Sequence, residues 1–125
     1  MIRIILLIII SSTVVSCSEK YPKKIYEEGE LFFSKSVTES EVDKAGYFLV
    51  EMDFFEKERK TSILLDKHED TFVFSIVVDK LYHNDTSYDS KFRSLATLAS
   101  LTVFSGTPAR VVLADRSLQP KRRID

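Results

Sequence analysis

The segment Thr71 to Asp79 (TFVFSIVVD) places the tightest constraint on what this chain can fold into. Along an extended backbone, Phe72, Phe74, Ile76 and Val78 alternate to one side, while Val73, Ser75 and Val77 fall on the other. β-Branched and aromatic residues favour strands, so a sheet must form around this run. Both of its sides are apolar, whereas a sheet with one solvated face more usually alternates apolar and polar residues. The fold has to supply something to cover each side.

The neighbouring segments read as regular elements. Leu31-Phe32-Phe33-Ser34-Lys35 is a short aromatic-rich strand leading into Thr38-Glu39-Ser40-Glu41, where Thr38 and Glu41 can satisfy the free amides of a helix start reciprocally. Val42, Ala45, Leu49 and Met52 then recur at helical spacing, with Glu41, Asp43, Lys44 and Glu51 turned away. Lys60 to Lys67 is strand-like and is joined to Thr71–Asp79 through the turn cluster His68-Glu69-Asp70, which predicts a hairpin. Asn84 to Ser87 offers cap residues for a second helix, on which Tyr88, Phe92, Leu95, Ala96, Ala99 and Val103 share a face. Gly106 and Pro108 mark its end, and Arg110 to Ala114 is a last strand. The order β-α-β-β-α-β predicts an α+β, ferredoxin-like domain, a four-stranded antiparallel sheet with two helices on one face. Right-handed crossovers would put the first and third strands at its centre.

Composition removes several function classes. Lys and Arg number 18 against 19 Asp and Glu, with no long run of one sign, so nucleic acid is not an expected partner. Glycine occurs only at 29, 46 and 106. Neither a Gly-rich dinucleotide loop nor a phosphate-cradling P-loop can be written from that, and no nucleotide or other cofactor is expected. A single cysteine forbids an internal disulfide, a redox pair or a multi-cysteine zinc site.

That cysteine is the best-placed chemical group in the chain. Arg3 precedes an apolar run that extends, with small residues, through Val15, which is signal-peptide anatomy. At about twelve residues the run is shorter than the roughly 20 needed to span a bilayer. An ordinary secretory signal or an uncleaved anchor is the other reading of the same residues. Val14-Val15-Ser16-Cys17 resembles the lipobox of bacterial lipoproteins. The resemblance implies cleavage between Ser16 and Cys17, a diacylglycerol on the Cys17 sulfur and acylation, with chains such as palmitate, of the new N-terminus. It also implies a chain held on the exported side of the cell membrane or, from Ser18 and in a double-membraned bacterium, the outer membrane. The expected organisation is signal peptide 1–16, lipidated cysteine and polar tether 17–29, α+β domain 30–116 and polar tail 117–125. The stretches ELFFSKSVTESE and DTFVFSIVV are also similar to a group of uncharacterised bacterial exported proteins, a likeness that implies no activity.

Two features remain as functional candidates. Phe32, Leu64 and Val112 are expected to join Val73 and Val77 on the sheet face away from the helices. Such a patch reads as a surface for an envelope protein or another envelope component. The other readings are that tether or tail covers it, or that strands simply favour Val and Phe. The second candidate is a small envelope enzyme or metal-binding protein using His68 or His83 with nearby carboxylates. No H-E-x-x-H motif, nucleophile elbow or calcium-loop spacing accompanies them, so no catalytic residue and no metal ligand is assigned. The expectation is a non-catalytic binding domain held at a membrane by its lipid.

Overall fold

A computed structural model describes residues 21–27, 29–55 and 60–125. Residues 1–16, the cleavage position Ser16 and the lipidation candidate Cys17 lie outside the described residues. Strands β1 (Lys23–Tyr26) and β2 (Gly29–Phe33) precede helix α1 (Glu39–Glu51). Strands β3 (Thr61–His68) and β4 (Thr71–Val77) follow, then two 3₁₀ turns (Lys80–Tyr82 and Thr86–Tyr88) and helix α2 (Asp89–Thr102). Strands β5 (Ala109–Ala114) and β6 (Pro120–Ile124) complete the order.

The sheet corrects the ferredoxin-like expectation. It has six strands in sequential order, antiparallel for β1–β2, β3–β4 and β5–β6 and parallel for β2–β3 and β4–β5. It is a mixed sheet, and neither four-stranded nor antiparallel throughout. The physical reason lies in the β3–β4 hairpin, the most apolar pair in the chain, which takes the centre. Each helical connection returns to a strand directly beside the one it left, so no strand is interleaved. β1 and β6 then close the flanks of β2 and β5, forming strands in segments that read as tether and tail.

Both helices pack on one face. In-register partners point to the same side, and this groups Tyr26, Gly29, Leu31, Ile63, Leu65, Phe72, Phe74, Ile76, Val111, Leu113 and Ile124. Most of these form a single buried cluster with Val42, Ala45 and Leu49 of α1 and Leu95, Ala96 and Ala99 of α2. Burying each large side chain contributes roughly 1.5–3 kcal/mol. The Phe104 ring, just past α2, stacks on Phe72 with centroids 3.7 Å apart. Because β2 and β4 run in opposite directions while both crossovers step the same way across the sheet, two helices on one face require crossovers of opposite hand. One connection therefore departs from the right-handed rule.

Local chemistry sets the element ends. Thr38 Oγ1 accepts from the Glu41 amide at 3.1 Å while Glu41 Oε1 accepts from the Thr38 amide at 2.8 Å, the reciprocal cap that starts α1. Gly46 lets α1 approach β1, since a Cβ there would overlap the Tyr26 ring. Gly29 accommodates Phe55 in the same way. Arg122 of β6 donates to both carboxylate oxygens of Asp89, at 3.0 and 2.8 Å, and to the carbonyls of His83 and Asp85. This fork ties the last strand to the loop before α2.

Candidate functional site

The second face of the sheet carries no helix. Register places Phe32 beside Leu64, Leu64 beside Ser75 and Ser75 beside Val112, with Val73 between Asp66 and Arg110 and Val77 beside Ala114. All five residues expected on an apolar patch, Phe32, Leu64, Val73, Val77 and Val112, thus share this open face. Leu64 at its centre is 5% exposed, while Phe32, Val73, Val77 and Val112 are half-buried. Leu64 and Ala114 are buried without joining the helix-side cluster. Ile25 of β1, opposite Glu30 and so on the same face, is 60% exposed.

Charged groups frame this strip. Lys23 Nζ lies 5.6 Å from the Phe32 ring centroid and donates to Glu30 Oε1 at 2.7 Å. Ser62 Oγ donates to the other Glu30 oxygen at 2.9 Å. The Lys23 ammonium holds the Glu30 carboxyl below its usual range, against a burial cost that Ser62 and Lys60 help to offset. At the opposite end, burial acts to raise the Asp66 pKa, but bonds from Ser34 Oγ (2.6 Å), the Lys67 amide (2.8 Å) and Ser36 Oγ (3.0 Å) outweigh it and leave the group lowered. Both carboxylates are therefore ionised; Glu30 has a partner on each oxygen, whereas the three bonds to Asp66 all fall on Oδ1. On the β5–β6 flank register brings Arg110 and Arg123 to this face, and Lys121 stands at the register shift opposite Leu113 and Ala114. Lys121 lies 3.6 Å from the half-buried Asp115, and Arg123 lies 2.7 Å from Asp125 in an exposed pair.

The two histidines are not brought together. His68 ends β3 at the hairpin, whereas His83 follows β4 at the other end of the sheet, its Nε2 3.1 Å from the Val78 carbonyl oxygen. Among the described residues no three His, Cys, Asp or Glu side chains are grouped to hold a metal ion. No helix among them is long and apolar enough to cross a membrane.

Ile25, Lys23 and Arg110 are features of this face that sequence reasoning missed, while Lys121 and Arg123, legible as part of a short basic tail, gain their place here only from the pairing of β6 with β5. Alternation along Arg110-Val111-Val112 and Lys121-Arg122-Arg123 would have identified the β5–β6 cations, once the tail was read as a strand. A further feature absent from the pattern is an open cleft of about 1030 Å³ at the sheet end where β4 gives way to the 3₁₀ turns. Its lining includes Phe32, Phe54, Tyr82, Tyr88 and Phe92.

Residues 24–125 match the model of AF_1994_N, described as a family N-terminal domain. The chain belongs to that family. The AF_1994_N match begins within β1 and runs past the end of β6, so the family unit is the whole six-stranded domain rather than its inner four strands. No curated protein and no solved structure matches the chain.

Proposed function

We propose that this AF_1994_N member is a bacterial lipoprotein, anchored through acylated Cys17 on the exported side of the cell membrane or outer membrane, whose domain is a non-catalytic binding module for an envelope component. The observation that carries the binding reading is the open sheet face: five apolar side chains chosen from strand alternation alone share it, and neither helix covers them. An apolar strip with a charged rim suits association with a larger surface better than turnover of a small molecule, because it offers contact area and no grouping of acid, base and nucleophile. The anchoring reading is supported by the lipobox. Tyr21 and Pro22 lead directly into edge strand β1, whose start follows Cys17 by only a few residues.

Two measurements test the proposal. Mass spectrometry of the native chain from the membrane fraction should find diacylglycerol on Cys17, and Cys17→Ala should abolish it; an unmodified mature terminus elsewhere contradicts the anchor. Charged substitutions at Phe32 or Val112 should leave the domain folded and lipidated and remove its chemical cross-links to other envelope components, its association beyond the anchor. Unchanged association would contradict the face.

A further inference from the structure

We infer that the open sheet face joins a second copy of the chain, face to face across a two-fold axis parallel to the strands, with Asp66 of each copy meeting Arg110 of the other. The inference deepens the proposed binding role by naming the partner, and it rests on that reading for the identity of the face.

Charge placement is the first argument. Cations and carboxylates balance on this face and its margins, so a partner of one sign gains little from it. Two groups are nevertheless left open. All three bonds to Asp66 fall on Oδ1, from Ser34, Ser36 and the Lys67 amide, which leaves Oδ2 without a partner among the described residues. Arg110, half-buried, makes no ion pair among them. Register sets both in one row, Asp66 beside Val73 and Val73 beside Arg110. They stand on opposite sides of the sheet midline, which runs between β3 and β4. A two-fold axis along that midline, in the plane between two stacked sheets, lays β3 over the β4 of the second copy and β2 over its β5. Each Asp66 then lies about one strand spacing to the side of the other copy's Arg110, within a guanidinium's reach across sheets about 10 Å apart. An axis across the strands does the opposite, because it lays the Asp66 end of β3 over the Ser62 end, beside Glu30, and brings carboxylates together. Lys23 and Arg123 meet at the margin of the strand-parallel pair, where each already holds a carboxylate of its own chain, Glu30 and Asp125.

The second argument is apolar contact. Phe32, Leu64, Ser75 and Val112 form one register row across the four inner strands. The same axis lays Phe32 over the Val112 of the second copy and sets the two Leu64 side chains next to each other at the centre. Six strands about 4.8 Å apart, with roughly five residues each at about 3.3 Å, give a face near 500 Å² in plan before side-chain relief is added. That approaches the roughly 600 Å² per partner at which stable interfaces begin. The axis also leaves both β1 starts at one end of the pair, so two chains anchored ahead of them can share a bilayer.

The experiment compares charge reversals in the full chain, solubilised from membranes in mild detergent, with sedimentation equilibrium reporting the oligomer. The parent should be a dimer. Arg110→Glu alone and Asp66→Arg alone should each weaken dimerisation about tenfold, since each sets two like-charge pairs across the axis. Mixed in equal amounts, the two variants should recover the parent's affinity as a heterodimer, because both cross-axis pairs then join opposite charges. A purely structural role for either residue would not give that recovery. If Asp66→Arg does not fold, the full chain in the Cys17→Ser background, which has no other thiol, takes its place. A short thiol cross-linker should then join two chains through Ser75→Cys, beside the axis, and not through Tyr47→Cys on the exposed side of α1. A monomeric parent, a mixture no tighter than its single variants, or equal cross-linking at the two sites would overturn the inference. The proposed function is read separately: a lipidated monomer that cross-links through this face to a different protein keeps that function and overturns the dimer, whereas a charge-selected dimer with unlipidated Cys17 keeps the dimer and removes the anchor.

Discussion

The two faces of the sheet are built from the same strands and nearly the same residue types, yet they do different work. Phe72, Phe74 and Ile76 enter a closed cluster with α1 and α2, while their neighbours Val73 and Val77 look out from a face that no helix covers. On the helix side, apolar burial is completed within the domain. The other side is left partly unfinished, framed by charged groups most of which are hydrogen-bonded or paired. The comparison teaches that apolar composition alone does not mark a core; closure by a second layer does.

Substitutions can break or sharpen this contrast. The largest effect should come from Phe74→Ala, which leaves a cavity under both helices and should cost about 3–5 kcal/mol in urea unfolding. Val73→Ala, one residue away on the open face, should cost well under half of that, and equal losses would erase the distinction between faces. Next, Gly46→Ala forces a Cβ into the Tyr26 ring where α1 meets β1, for an expected loss of about 1–3 kcal/mol by the same measurement. Thr38→Ala removes one half of the reciprocal cap of α1 and should cost about 1 kcal/mol, with the open face unaffected.

The smallest effect is electrostatic and appears in acid. Asp66 and Glu30 have folded-state pKa values lowered by their hydrogen-bonding partners. A lowered folded pKa means that the unfolded state binds more protons, so these groups add stability above the unfolded value, about 4, and lose it as pH falls through the folded one. Stability measured from neutral pH downward should fall in that acid window, and Asp66→Asn should flatten the fall. An unchanged acid limb would contradict the assigned roles of Ser34, Ser36 and the Lys67 amide.

Legibility in the sequence followed the chemistry of each segment. The α1 start was readable because Thr38 and Glu41 stand at the spacing that a reciprocal cap demands. The β3–β4 hairpin was readable because its apolar residues alternate over many positions. Edge strands β1 and β6 carry no such signal: KKIY and PKRRI are basic, and Pro120 sits at a strand start where its missing amide does no harm. Basic residues suit edges because they discourage pairing with other chains, and the same property hid these strands as tether and tail. Strand order was not readable at all, since alternation determines which face a residue joins and says nothing of which strand lies beside it. For that reason the five apolar residues of the open face were legible, while the cations bordering them were not.

The central claim is most directly tested by two adjacent substitutions on β4, Val73→Asp and Phe74→Asp, each assayed for cooperative unfolding and for cross-linking to envelope components. The account predicts that Phe74→Asp unfolds the domain, whereas Val73→Asp keeps a cooperative transition near that of the parent and loses the cross-links. If Val73→Asp unfolds as Phe74→Asp does, or folds and cross-links as the parent does, the division of labour between the two faces is wrong.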